Sequence, residues 1–134
     1  MSIPSRPVWA TIVSSVLALL GLAGFAYAAW GLAVDVGLAA KAAYAGFSLW
    51  FGASALLSAI GLWSMRRWAL APLSSWVLAC LAAPWVPYLV AVNADDSLID
   101  GIGSSVLMAL VAVPVWLAAR RTLRHRAPTP PGAA

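Results

Sequence analysis

Pro84 and Pro87 lie one helical turn apart in a long apolar stretch, a spacing that can create a binding site. A proline inside a helix has no backbone N–H, so the carbonyls of Cys80 and Ala83, one turn earlier, lose their usual donors. The pair predicts a kink, and freed carbonyls line ligand sites in the broken helices of membrane transporters. A simple kink without a site is the alternative, because prolines are frequent in membrane helices.

Aromatic residues extend this candidate site. Trp85 and Tyr88 lie beside the prolines, while Trp50 and Trp76 lie deep within their apolar stretches. Aromatic residues at a membrane surface lie near the helix ends, so two deep tryptophans need another explanation. Packing between helices is the alternative to ligand contact. The predicted contacts with an apolar ligand or a partner are Trp50, Trp76, Pro84, Trp85, Pro87 and Tyr88.

The segment NADDSLIDG contains three aspartates, and its polar residues alternate like the first ligands of a calcium loop. Such a loop requires glycine and glutamate at positions that Leu98 and Ser104 occupy here. Ser97 and Asp100 instead have the S-x-x-D spacing that caps the first turn of a helix. We therefore predict a helix start at this segment and no metal site.

No group of residues predicts catalysis. His125 is the only histidine and Cys80 the only cysteine, and the sequence contains no nucleophile, metal-ligand or phosphate-loop motif. Proton pumps, ion-coupled carriers and intramembrane enzymes place ionisable groups deep within their membrane spans. The deep parts of the apolar stretches contain none. We predict that the protein is not an enzyme and holds no cofactor.

Long apolar helices must position these residues. The 134-residue chain is 63% hydrophobic and only 9% charged, which is far from the composition of a water-soluble domain. A spanning helix needs about 20 apolar residues, and open strands cannot cross lipid. The sequence predicts an all-α integral membrane protein with four transmembrane helices in an antiparallel bundle. The predicted spans are 8–34, 42–65, 68–92 and 98–119; they form a domain of residues 1–119, followed by a basic, then proline-rich tail at 120–134.

The charges predict an orientation. Arg6 precedes the first span, and Arg66 with Arg67 forms the connection between the second and third spans. The opposite side holds all four aspartates and Lys41. Basic residues stay on the cytoplasmic side, so both termini are predicted to be cytoplasmic. The arginines that set this topology, or contact lipid headgroups, are Arg66, Arg67, Arg120, Arg121, Arg124 and Arg126.

The first span also has features of a secretory signal, because AYAA at 26–29 fits the small-residue cleavage pattern. A signal peptide has an apolar core of about 7–15 residues, and the run here is longer and continues to Val34. We therefore expect an uncleaved first helix. The use of alanine, glycine and arginine is typical of bacteria, which predicts location in a bacterial inner membrane.

Rows of small residues predict where the helices meet. The longest row is in the third span and comprises Ala71, Ser75, Ala79, Ala83, Pro87 and Ala91. The shorter rows are Ser14 with Ala18, Gly24 with Ala28, Ser48 with Gly52, Ser54 with Ser58 and Gly61, and Gly101 with Ser105 and Ala109.

Two functions fit these features. The first is a non-catalytic accessory or assembly subunit that packs in the bilayer against other membrane subunits or against itself. The alternative is a small carrier or binder of an apolar molecule, a lipid or a quinone, at the proline-kinked third helix. The net charge of +4 is concentrated at the span ends, so nucleic acid is not a predicted partner.

Overall fold

The computed structural model describes residues 7–33, 37–89 and 98–125, and within them the regular structure is helical. The helices are α1 Val8–Ala33, α2 Leu38–Trp63, α3 Leu70–Ala82, α4 Val86–Leu89 and α5 Leu98–His125. Short 3-10 helices at Arg67–Ala69 and Ala83–Trp85 precede and follow α3. Four segments are long and apolar enough to cross a membrane: Val8–Ala33, Leu38–Trp63, Arg67–Trp85 and Asp100–Arg124. For the described residues, the prediction of an all-helical fold with four such segments is confirmed.

Two helices extend beyond the predicted apolar stretches. Helix α2 begins at Leu38, so Lys41 lies in its first turn, where the Lys41 N–H donates to the Gly37 carbonyl at 3.0 Å. Helix α5 continues past residue 119 to His125 and includes three of the tail arginines. Helical hydrogen bonds form through polar and charged residues as well as apolar ones, so a helix can be longer than its apolar stretch. The apolar stretch indicates only the part of the helix that suits the hydrocarbon core.

Helices α1 and α2 pack through glycines. A Cβ added at Gly24 would lie 2.9 Å from the Gly52 Cα and 3.1 Å from the Ser48 carbonyl oxygen. A Cβ added at Gly52 would lie 3.0 Å from the Gly21 carbonyl oxygen. The two backbones therefore approach more closely than larger residues would allow. The predicted pairs Gly24 with Ala28 and Ser48 with Gly52 are buried, and Gly21, which was not predicted, belongs to the same contact.

A tight turn ends α2 and leads into α3. Met65 has a left-handed backbone with a φ of 51°. Its N–H donates to the Leu62 carbonyl, and the Arg66 N–H donates to the Gly61 carbonyl, both at 3.0 Å. This pair of bonds is the Schellman arrangement, which satisfies the last carbonyls of a helix. The connection therefore comprises residues 64–66 and not the predicted arginine pair, since α2 ends at Trp63 and Arg67 already belongs to the following 3-10 helix.

The second face of α2 packs on the start of the third span. The predicted row Ser54, Ser58 and Gly61 is buried there. The Ser58 Oγ donates to the Ser54 carbonyl at 2.6 Å, so the hydroxyl is satisfied within its own helix. A Cβ added at Gly61 would lie 2.5 Å from the Ala69 Cβ, which makes glycine the residue that fits at this crossing.

The long row predicted in the third span is only partly buried. Ala79 is buried, Ala71 is exposed, and Ala91 lies outside the described residues. In α1, similarly, Ala18 is half-buried while its neighbour Leu17 is 2% exposed. A row at four-residue spacing turns about 40° further around the helix at each step, so a long row leaves the packed face.

Candidate functional site

A cavity of about 720 Å³ lies between the four long segments. Its wall follows α1 from Ile12 to Tyr27, which corresponds to about 22 Å along the helix axis. Val16 on α1 and Met108 and Val111 on α5 also line the cavity, and all three are exposed. The closest packing is between α1 and α2, α2 and α3, and α3 and α5. The cavity therefore opens between α1 and α5, which face each other across it.

The cavity wall is apolar and rich in aromatic rings. None of the described residues that line it is acidic or basic. Ser48, Cys80, Tyr27, Tyr44 and Trp76 carry polar side-chain atoms, and the other lining residues are apolar. Such a wall accommodates a neutral apolar molecule through hydrophobic contact. The aromatic lining residues are Tyr27, Tyr44, Phe47, Phe51 and Trp76.

Trp76 is the predicted site residue with the most distinctive environment. Its side chain is 6% exposed, and its ring centroid lies 6.3 Å from that of Phe51 in a tilted arrangement. The indole N–H has no hydrogen-bond partner among the described residues. A buried donor without a partner costs about 1–3 kcal/mol, so its retention requires an explanation.

The proline pair interrupts the third span as predicted, and α3 ends at Ala82. The Ala83 carbonyl, however, is not free: it accepts a hydrogen bond from the Val86 N–H, because the backbone tightens into a 3-10 turn. Pro87 lines the cavity, whereas Pro84 lies in the 3-10 turn and is not among the lining residues. The interruption thus changes the backbone path of the third span, and this path shapes the cavity wall.

Two other predicted site residues bind neighbouring helices. The Trp50 Nε1 donates to the Ser75 Oγ at 2.8 Å, which links α2 to α3. The Trp85 Nε1 donates to the Ser105 Oγ at 3.0 Å, and that hydroxyl donates to the Leu81 carbonyl at 3.3 Å. These bonds hold neighbouring helices together, and neither tryptophan lines the cavity. Tyr88 belongs to α4, and its side chain is outside the described residues.

A third bond of the same kind lies at the arginine-rich end. The Trp116 Nε1 donates to the Ser74 Oγ at 2.8 Å, and the Arg120 guanidinium lies 5.0 Å from the Trp116 ring centroid. An Arg67 guanidinium N–H also donates to the Arg124 carbonyl at 3.3 Å. The hairpin arginines and those of α5 therefore lie at one end of the protein, while Arg126 lies outside the described residues.

Sequence reasoning found Trp76 and Pro87 but missed most of the cavity wall. Tyr44, Phe47 and Phe51 follow one another at three- and four-residue spacing and so share one face of α2. That spacing was the feature of the sequence from which these three wall residues could have been predicted. The aliphatic residues of α1 and α5 carry no comparable signal, because apolar residues occur on every face of these helices.

The described residues do not bring together three or more histidine, cysteine, aspartate or glutamate side chains. The segment that resembles a calcium loop lies largely within residues 90–97, outside the described ranges. No protein-family model, curated protein or solved structure matches the chain. The cavity and its wall are therefore the features from which a function is inferred.

Proposed function

We propose that this chain is a non-catalytic integral membrane protein that binds an apolar molecule, of the lipid or quinone class, between its helices. The observation that carries the proposal is the aromatic-lined cavity of about 720 Å³. Small-molecule sites in proteins are mostly apolar cavities of this size with a few polar groups. The cavity length of about 22 Å along α1 suits a molecule with a hydrocarbon chain.

Filling the cavity tests this proposal. A chain carrying Val16→Trp and Ala23→Trp places two indole rings at positions that line the cavity. We expect the amount of apolar molecule that remains bound after purification in mild detergent to fall at least tenfold, because the rings occupy its volume. Mass spectrometry of an organic extract, normalised to protein, measures this amount.

The matched control carries Leu19→Trp and Ala26→Trp, two exposed positions of the same helix that do not line the cavity. It should retain as much apolar molecule as the unmodified chain. Equal retention by the two double variants would remove the cavity as the binding site.

We also propose an antiparallel arrangement with both termini cytoplasmic, in a bacterial inner membrane. The contact of Arg67 with the Arg124 carbonyl supports it, since it joins two basic segments that the positive-inside rule assigns to one side. The close approach of Gly24 to Gly52 across a short connection also supports antiparallel neighbours.

Labelling of single cysteines tests the orientation. In a Cys80→Ala background, Ser97→Cys is expected to react with an impermeant maleimide added to intact cells, and Thr122→Cys only after the membrane is opened. Ser97 precedes the fourth span and Thr122 lies at its opposite, arginine-rich end, so the aspartate-rich side should face outward. Reaction of Thr122→Cys in intact cells would reverse the proposed orientation.

An accessory or assembly subunit is the second candidate function. Only 11% of the apolar window of Asp100–Arg124 is buried, compared with 50% for Leu38–Trp63, so α5 offers surface to lipid or to another chain. Purification from the native membrane separates the two candidates. Stoichiometric recovery of other chains supports the subunit, while an isolated monomer or homodimer with a lipid-like molecule supports the binder.

A further inference from the structure

We infer that the cavity selects a neutral, ring-bearing apolar molecule with a carbonyl oxygen, which accepts a hydrogen bond from the Trp76 indole N–H. A quinone head group has this chemistry. The inference rests on the proposed function and specifies its ligand. It begins from two observations: Trp76 lines the cavity, and its buried N–H has no partner among the described residues.

Two other tryptophans were predicted as contacts; they do not line the cavity, and both have partners. Trp50 donates to Ser75 and Trp85 donates to Ser105, both across helix boundaries. The helices thus use serine hydroxyls to satisfy indole donors, whereas Trp76 faces no described acceptor. Indole is a donor only, so the group that completes this site must be an acceptor.

The surrounding wall restricts the acceptor further. Because the described lining is free of acidic and basic residues, it offers nothing to neutralise an ionised ligand, and a charge would be desolvated without compensation. A carbonyl oxygen is neutral, accepts one or two hydrogen bonds and carries no donor that would itself need a partner.

Aromatic side chains favour a ring on the ligand. Phe51 lies beside Trp76, and Tyr44 and Phe47 continue the same face of α2 along the cavity. Aromatic rings pack against planar groups in stacked or edge-on arrangements that add to the apolar contact. The Trp76 nitrogen is covered by neighbouring atoms, so the ring must shift within the wall when the acceptor binds.

Binding of matched probes to protein in lipid nanodiscs tests the inference. The probes are a trimethyl-decyl-1,4-benzoquinone, which has ring and carbonyls and no open ring position to which the Cys80 thiol could add, decylbenzene, which has the ring alone, and methyl laurate, which has the carbonyl alone. Cys80 provides the readout, because it is the only cysteine and lines the cavity. Each probe should slow alkylation of Cys80 by N-ethylmaleimide, and half-maximal protection gives its apparent affinity.

For the unmodified chain we expect the quinone to bind about three- to tenfold more tightly than decylbenzene, as one additional hydrogen bond allows. Trp76→Phe keeps a ring but removes the donor, and it should abolish that difference while leaving decylbenzene binding nearly unchanged. Methyl laurate should bind more weakly than the quinone, and tighter binding of the ester would instead assign the site to acyl lipids.

Different outcomes would contradict the proposed function and the inferred choice of ligand. If none of the three probes protects Cys80, the proposed function is wrong. If quinone and decylbenzene protect equally in the unmodified chain, the cavity binds apolar molecules but Trp76 does not select a carbonyl. That comparison needs no substitution, so it holds even where Trp76→Phe impairs folding.

Discussion

Gly24→Leu is expected to separate α1 from α2 and to lower the free energy of unfolding by about 3 kcal/mol. Even a single Cβ at this position would meet the Gly52 backbone at 2.9–3.1 Å, and a backbone cannot rotate away as a side chain can. The helices must therefore move apart, which removes contacts along the whole α1–α2 interface. Unfolding by sodium dodecyl sulfate in mixed micelles, followed by circular dichroism, measures the loss.

Gly31→Leu is the matched control for this substitution. Gly31 lies in the same helix, but a Cβ there would have nothing within 4 Å among the described residues. The control adds the same side chain and removes the same backbone freedom without a clash, so its unfolding should stay close to that of the unmodified chain. Similar losses for both variants would show that the close glycine contact does not determine stability.

The combined substitution Pro84→Ala and Pro87→Ala should join α3 and α4 into one continuous helix and release the apolar molecule that we propose the chain binds. Alanine is about 3 kcal/mol more favourable than proline inside a helix, and it supplies the missing N–H. A 3-10 helix turns about 20° more per residue than an α-helix, so straightening three residues rotates the following wall residue Val86 by about 60°. Slowed amide exchange at positions 84 and 87 would report the new helix, and mass spectrometry the bound molecule.

Pro72→Ala serves as the control for the proline pair. Pro72 lies in the first turn of α3, where a backbone N–H has no acceptor within the helix. Its replacement should change neither the helix path nor retention of the molecule. Full retention by the double variant, despite a continuous helix, would favour a subunit that functions by packing alone over a binder.

The helical elements were predictable because their signals are local. Lipid requires long apolar helices, so the four segments are visible in the hydropathy of the chain. Gly24 with Ala28 and Ser48 with Gly52 were recognisable because small residues repeat at helical spacing on short segments. The interruption at Pro84 and Pro87 followed from the missing donors alone.

The cavity was less predictable because it depends on residues that are distant in sequence. Whether a tryptophan faces a serine, as Trp50 does, or a cavity, as Trp76 does, is decided by the rotation of one helix against another. Val16 and Val111 line the cavity, but in the sequence they cannot be distinguished from aliphatic residues that face lipid. Even the Ala83 carbonyl, predicted to be free, has a donor because the backbone adopted a tighter turn.

The opening between α1 and α5 determines how a ligand would reach the cavity in a bilayer. Met108 and Val111 at this opening lie among the apolar exposed residues, so its surroundings would be acyl chains and not water. Entry would then occur by sideways diffusion within the leaflet. Occupancy would follow the mole fraction of the ligand among the lipids, and adding more lipid at a fixed amount of ligand would empty the protein by dilution.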